Sequence, residues 1–442
     1  MTRIPLARAL ASRALGVACE PGDRAVLRLQ IADTIGCLVG GATHPLAPVL
    51  LAAAGDETIA NGTRLLSTGA HVTLSRGVAI DTTLAHVDEF DPIHLAAAVL
   101  PTATTLPAAL HLGALLGSDG DVTERAVVAG SDALAAVSIA LGGGALYERG
   151  WWPAAVFAPI GAAVTAGVLL GLDEDHLTAA ISLASVSTGG LLAPTHYGAA
   201  HYALLGQRSA AGLDAALLAR AGADGDHRIL DDAAAPALGA GLSGLPEAVG
   251  VALVGGCALK PFPCARPLHA AIEGLEALLL EAGNAAVTEV RVGLPGPLLK
   301  IVTDNAEPRG QADAAASAPF VVAATLAGVV RDIATFRNPV SSPTDVAIEL
   351  VRETRLEASF PATWAAEVSI VADGQRRTTV RDRAVGDAAT PLGRAGVSRK
   401  FLDLVPEPAL LERLYQLGGE ASIVAVVDDV IEAMPSQRST TP

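Results

Sequence analysis

The chain has 442 residues, 51% hydrophobic but only 3% aromatic, with 45 glycines and a formal charge of −16. Its few Lys and Arg form no polybasic run, which argues against a nucleic-acid groove or an anionic-membrane surface. No stretch of ~18 apolar residues is free of charges and breakers, so a membrane span is not expected either.

The opening "IPLARALASRALGVA" spaces its arginines through apolar residues, as an amphipathic helix does and a signal peptide does not. Cys19, Cys37, Cys257 and Cys264 show no C-x-x-C pairing, which fits buried thiols in a cytoplasmic protein. From Leu6 to about Gly255 the pattern is helical almost throughout. "RLQIADTIGCLVGG", "TLPAALHLGALLG" and "PIGAAVTAGVLLGLD" each carry broad apolar faces and end in Gly or Asp. Near Lys260 the texture changes. "VTEVRVGLP" alternates as a strand, and "AEVSIVADGQRRTTVRDR" reads as two strands joined at Asp373-Gly374. Between them "APFVVAATLAGVV" reads as a helix, and a second helix is expected from Ser342, with Pro343 in its first turn. Helical periodicity returns after Val397. The fold class expected is mainly α: a large all-helical domain (1–257 and 398–442) with an inserted, smaller α+β lid domain (258–397). The cleft between them is the default site.

Four stretches carry candidate chemistry. "HVDEFDPIH" gathers His86, Asp88, Glu89, Asp91 and His94. Metal ligation needs donors that converge, and no second acid-rich cluster supplies the rest, so no metal is expected. Acid/base work by a carboxylate and a histidine, or a plain acidic loop before a buried helix, fits as well. In "KPFPCARPLHAAIEG", Lys260 and Arg266 precede a helix beginning at His269, an arrangement suited to a carboxylate or equally to solvated loop charges. In "RGWWPAAVF" the paired tryptophans either line a pocket or anchor the next helix. "PTHYGAAHYALLGQR" places His196 and His201, each followed by Tyr, ahead of a small-residue helix. "GAGLSG" at Gly239–Gly244 follows no strand and is not a dinucleotide fingerprint.

Taken in order, "ADTIGCLVGG", "AHVDEFDPIH", "GWWPAAVFAPIGAA", "KPFPCARPLHAAIEG", "SAPFVVAATLAG" and "GDAATPLGRAGVSRKF" resemble the MmgE/PrpD family over nearly the whole chain. That family includes 2-methylcitrate dehydratase, cis-aconitate decarboxylase and iminodisuccinate epimerase. The resemblance implies an all-helical domain with an α+β lid, usually a homodimer, and catalysis without a cofactor. His86, Glu89 and Asp91 match the family's acidic stretch, and Lys260 and His269 match its later segment. The chain departs elsewhere: Pro92 replaces an Asp, Leu100 and Trp152 stand where relatives have histidines, Phe320 replaces a tyrosine, and His201 falls where a lysine is expected. Cations and hydrogen-bonding groups give way to apolar surface, which disfavours a tricarboxylate.

The expectation is a lyase or isomerase that removes a proton α to a carbonyl or carboxylate of a small substrate less anionic than methylcitrate. His201 is the expected base and Lys260 the stabiliser of enolate charge. Asp91 and His94 are expected as the second acid/base pair, or as groups orienting Lys260. Glu89, Leu100, Trp152, Arg266, His269 and Phe320 are expected to bind substrate. The alternatives are a catalytically silent relative that binds a small molecule or a partner protein, and an ordinary dehydratase that recruits His94 and His196. Convergence of His201, Lys260 and Asp91 would favour the enzyme.

Overall fold

A computed structural model describes residues 4–18, 20–55, 62–187, 189–192, 198–246, 253–340 and 345–434. The N-terminal half is built from α1 (Leu6–Gly16), α2 (Pro21–Gly41), α3 (Ala47–Ala54), α4 (Leu74–His86), α5 (Pro101–Leu116), α6 (Gly120–Ala140), α7 (Pro153–Leu169), α8 (Glu174–Val186), α9 (Ala199–Arg220) and the single turn α10 (Ala235–Ala237). Two short antiparallel pairs interrupt the helices: β1 (Thr63–Arg64) with β2 (His71–Val72), and β3 (Ile93–His94) with β4 (Cys257–Ala258).

Helix α7 lies at the centre, packed by α5, α6, α8 and α9. Its sequence "PAAVFAPIGAAVTAGVL" is apolar all round and buried along nearly its whole length, as a central helix must be. Trp152 precedes it and Pro153 occupies its first turn, where the missing N–H costs nothing. Small residues set the spacing of α9. A Cβ on Gly206 would lie 2.0 Å from the Ala79 carbonyl of α4, and one on Gly212 would lie 2.1 Å from the Pro159 carbonyl of α7. Those glycines let α9 press against both neighbours, which brings its first turn to the end of α4.

The second half carries α11 (His269–Ala282), β5 (Val287–Leu294), α12 (Gln311–Ala316), α13 (Ala318–Leu326), α14 (Ile333–Arg337), β6 (Ala347–Arg352), β7 (Ala366–Ala372) and β8 (Gln375–Arg381). The sheet order is β6-β5-β7-β8, with β5 parallel to β6 and antiparallel to β7. The β7–β8 hairpin turns at Asp373 and Gly374, with φ of 48° and 74°, the paired positive angles of a type I′ turn. Helix α11 packs on β7 and β8.

The helix expected from Ser342 is not found. Ser342 and Pro343 lie outside the described residues, and the segment that follows, "AIELVR", is the edge strand β6. Its alternating exposure is that of a one-sided strand; the proline suggested a helix start only because strand and helix signals overlap in so short a run.

Helices α15 (Gly393–Leu404), α16 (Pro408–Tyr415) and α17 (Ile423–Glu432) return to the helical half, α15 and α16 against α2 and α17 against α5. No single helix among the described residues is long and apolar enough to cross a membrane. The fold is mainly α with a few small sheets.

Candidate active site

Helix α4 ends at His86, and the loop after it is pinned at almost every residue. The His86 imidazole is buried and its Nδ1 lies 2.8 Å from Asp91 Oδ1. Asp88 receives a two-pronged ion pair from Arg337 of α14, with Nε at 2.9 Å from Oδ1. Glu89 sits in the left-handed region at φ 54°, a conformation that costs about 1 kcal/mol or more for a residue with a side chain. That twist lets both its carbonyl and its carboxylate accept hydrogen bonds from Lys260 Nζ, at 2.9 and 3.2 Å. The Phe90 carbonyl accepts from Lys400 Nζ of α15 at 2.6 Å, and the same ammonium binds Asp33 of α2. Pro92 then leads into β3, which pairs with β4 just before Lys260. The acid loop and Lys260 are therefore registered by two adjacent backbone strands.

His201, in the first turn of α9, faces this loop. Its ring stacks on Trp152 with centroids 3.9 Å apart, and its Nε2 is 3.6 Å from Glu89 Oε1. Tyr202 meets both imidazoles edge-on, at 5.4 Å from His86 and 5.3 Å from His201, and its hydroxyl donates to Gln311 at 3.2 Å. Lys260 Nζ stands 3.8 Å from Asp91. The predicted trio of His201, Lys260 and Asp91 thus converges, with Glu89 as the hub. A cavity of about 50 Å³ opens beside it, walled by Leu100, Trp152, Tyr147, Trp364, Leu192 and Arg266 as well as His86, Glu89, His201 and Lys260.

The two imidazoles are tuned in opposite directions. Burial lowers His201 below its ordinary value, only partly offset by its contact with Glu89. Burial would lower His86 too, but the charges of Asp91 and Glu89 and the Asp91 hydrogen bond outweigh it and raise that imidazole. Burial raises the Glu89 carboxyl, yet His86 and Lys260 more than reverse this and hold it well below the usual carboxylate range. Lys260 loses solvation on burial, but Glu89 and Asp91 lift it above the ordinary lysine value, so it stays cationic.

Several expected site residues take other places. His94 does not pair with Asp91; His86 does. The His94 ring accepts a hydrogen bond from the Ala97 amide at 3.2 Å, and burial pushes it down to about 4, a neutral structural role in the β3 turn. His269 does not line the cavity: Nδ1 accepts from Arg266 at 2.8 Å, and Nε2 donates to the Cys264 carbonyl at 3.1 Å. It orients Arg266 instead. Arg266 does reach the cavity, but its guanidinium is ion-paired with buried Asp387. Phe320 packs edge-on against Phe336, 5.6 Å between centroids, and lines a separate groove beside β6. Its expected role in binding substrate was read from the resemblance, from the place of a family tyrosine, rather than from packing. Leu100, Trp152 and Glu89 are in the cavity wall as expected. His196 lies outside the described residues.

Tyr147, Tyr202 and Trp364 were not anticipated. Trp364 is one of three tryptophans in a chain poor in aromatics, and that rarity was the available signal. Nothing in the short-range sequence marks Tyr147, which a 3₁₀ turn (Gly143–Arg149) delivers to the wall.

Comparison with known families fits this geometry. The MmgE/PrpD N-terminal domain matches residues 10–244, and the MmgE/PrpD C-terminal domain matches residues 262–410. The chain belongs to the MmgE/PrpD family. It is a divergent member. A curated relative, cis-aconitate decarboxylase-like protein oryM of Aspergillus oryzae, is 33% identical over 153 residues, which is 32% of this chain and 31% of the relative. The match spans less than a third of the relative's length. The loop that holds His86, Glu89 and Asp91, and His201 of α9, lie within the segment matched by the N-terminal domain.

Proposed function

We propose that this chain is a lyase or isomerase that moves a proton at a carbon α to a carbonyl or carboxylate, using its own side chains. One observation carries the reading: an Asp91-backed imidazole, His86, turns its second nitrogen toward another imidazole, His201, at a cavity that also holds a buried ammonium. Two histidines pushed apart in acidity are the usual means of running base and acid chemistry in one site. His201, kept neutral by burial, takes the proton. His86, kept protonated by Asp91, returns it or protonates a leaving group. Lys260 stabilises the enolate charge that develops between these steps.

The substrate of this reading carries few negative charges. Lys260 is already shared by Glu89 and Asp91, and Arg266 is neutralised by Asp387. Leu100, Trp152, Leu192 and Trp364 supply apolar wall instead of cations. A tricarboxylate would leave carboxylates unpaired in a closed cavity, at a cost of several kcal/mol by the order of magnitude for buried unpaired ions. A monocarboxylate or a carbonyl compound fits better than cis-aconitate itself. In this proposal residues 258–397 form a lid that brings Lys260 and Arg266 to the helical histidines.

The test is solvent deuterium exchange. Carbonyl compounds and mono- and dicarboxylates are incubated with the protein in heavy water and read by mass spectrometry. The expected result is incorporation of one α-deuterium or formation of a product by elimination, isomerisation or decarboxylation with wild type and none with His201→Ala. Exchange by His201→Ala at the wild-type rate would remove His201 from the role of base.

A further inference from the structure

Nε2 of His86 is buried and has no hydrogen-bond partner, while Nδ1 of the same ring is fixed by Asp91 at 2.8 Å. A buried bare nitrogen is costly unless something binds it. Metal-ligating histidines are held in this way, the second nitrogen tied to a carboxylate that fixes ring orientation and makes the free nitrogen a better donor. Two further donors stand beside it. Glu89 Oε1 is 3.5 Å from His86 Nε2 and 3.6 Å from His201 Nε2, and the three donor atoms lie within 4.8 Å of one another.

We propose that His86, Glu89 and His201 form a binding site for one divalent transition-metal ion of the zinc class. Bond lengths of about 2.0–2.2 Å place tetrahedral ligands about 3.4 Å apart. Two of the three spacings already meet that value, and a small rotation of either ring closes the third. Two imidazoles and one carboxylate select zinc, cobalt and their neighbours over magnesium or calcium, which want oxygen. Three protein donors leave the fourth position open toward the cavity.

Charge permits it. Lys260 holds the other Glu89 oxygen, at 3.2 Å, and opposes the ion, but Glu89 and Asp91 together outnumber it. Arg266 is the remaining cation on the cavity wall and is paired with Asp387. Metal ligation was set aside for the acidic loop by itself because the third donor, His201, lies on α9, more than a hundred residues further along the chain.

The metal claim rests on geometry alone. Its consequence rests on the proposed proton transfer: an ion here displaces the Nε2 proton of His86 to solvent and occupies the lone pair of His201, so occupancy would inhibit turnover reversibly.

The test uses the full chain, treated with chelator and dialysed, then titrated with Co²⁺. One equivalent should bind, with visible d–d absorption and quenching of the Trp152 fluorescence stacked on His201. His86→Gln and His201→Gln should each weaken binding at least tenfold, Asp91→Asn about tenfold, and His94→Gln not at all. Circular dichroism identifies any variant that fails to fold, and the other histidine variant then carries the test. Wild-type affinity in a folded His86→Gln or His201→Gln protein, or no d–d band at 100-fold excess Co²⁺, would overturn the site. Cobalt binding is read without turnover, so a silent exchange assay overturns the proposed reaction and leaves the metal result standing.

Discussion

Two buried histidines in this protein, His86 and His111, are each held by a carboxylate at 2.8 Å, and they have opposite fates. His111 Nε2 bonds to Asp81 and its Nδ1 bonds to Thr63 Oγ1, also at 2.8 Å. Asp81 in turn accepts from the Leu66 amide, so the group ties α4, α5 and the β1 segment into one network. Both ring nitrogens are spent. In His86 one nitrogen is spent and the other is left bare at a cavity. The residue types and the first hydrogen bond are the same; the difference lies in the unused valence. The proposed chemistry draws on that unused valence.

Substituting both residues breaks the comparison most sharply. His86→Gln should lower turnover by about 10²–10⁴-fold, the range for losing a positioned proton-transfer group, far more than its effect on stability accounts for. His111→Ala should do the reverse: unchanged turnover per folded molecule, and a loss of about 1–3 kcal/mol in chemical denaturation for the orphaned partners. Equal effects of the two substitutions on activity would erase the distinction.

Lys400→Met comes next. It strands Asp33, whose carboxyl is raised by burial and countered by that lysine, and it frees the Phe90 carbonyl. Breaking a buried ion pair costs about 3–5 kcal/mol. A further drop in turnover, disproportionate to the folded fraction, would show that the anchor positions the acid loop.

The pH dependence follows from the two imidazoles. Activity should rise as pH passes the lowered His201 value and fall as it passes the raised His86 value; His86→Gln should flatten the alkaline limb. Stability has its own signs. The raised His86 contributes stability that is present below its unfolded value and is lost as pH climbs through its folded one. The depressed Glu89 contributes stability above its unfolded value, lost only as pH drops through the folded one. Guanidinium midpoints from pH 4 to 9, wild type against His86→Gln, read the histidine contribution, and the loss from Glu89 falls below that range. Tyr202→Phe should matter least: it keeps the ring contacts and loses one hydrogen bond to Gln311, about 1 kcal/mol in thermal unfolding.

Much of the architecture was legible because period and punctuation are local. The long apolar run of "PIGAAVTAGVLLG", ended by Gly and Asp, and the Asp373-Gly374 turn each need only neighbouring residues to declare themselves. The segment after Ser342 misled because six alternating residues after a proline carry too little signal to separate strand from helix. For the site, Lys260, Asp91, Glu89 and His201 could be named from residue type and family resemblance. Their roles could not be, since whether a ring nitrogen is spent depends on what the fold places beside it. His94 and His269 look as reactive as His86 in sequence; the Ala97 and Leu253 backbone engages His94, and Arg266 and Cys264 take both nitrogens of His269. The cavity position of Tyr147 and Trp364 is purely tertiary.

Lys400 also bears on time. Its ammonium reaches back to residues 310 and 367 positions earlier, Phe90 and Asp33. Contacts of such sequence separation close late, after the loop entropy between them has been overcome. On a ribosome the acid loop is made early and must wait, unanchored, until nearly the whole chain has emerged. The acid loop is therefore among the last parts of the molecule to take its final shape, and a nascent chain lacking α15 would carry the residues of the proposed centre without the anchor that arranges them.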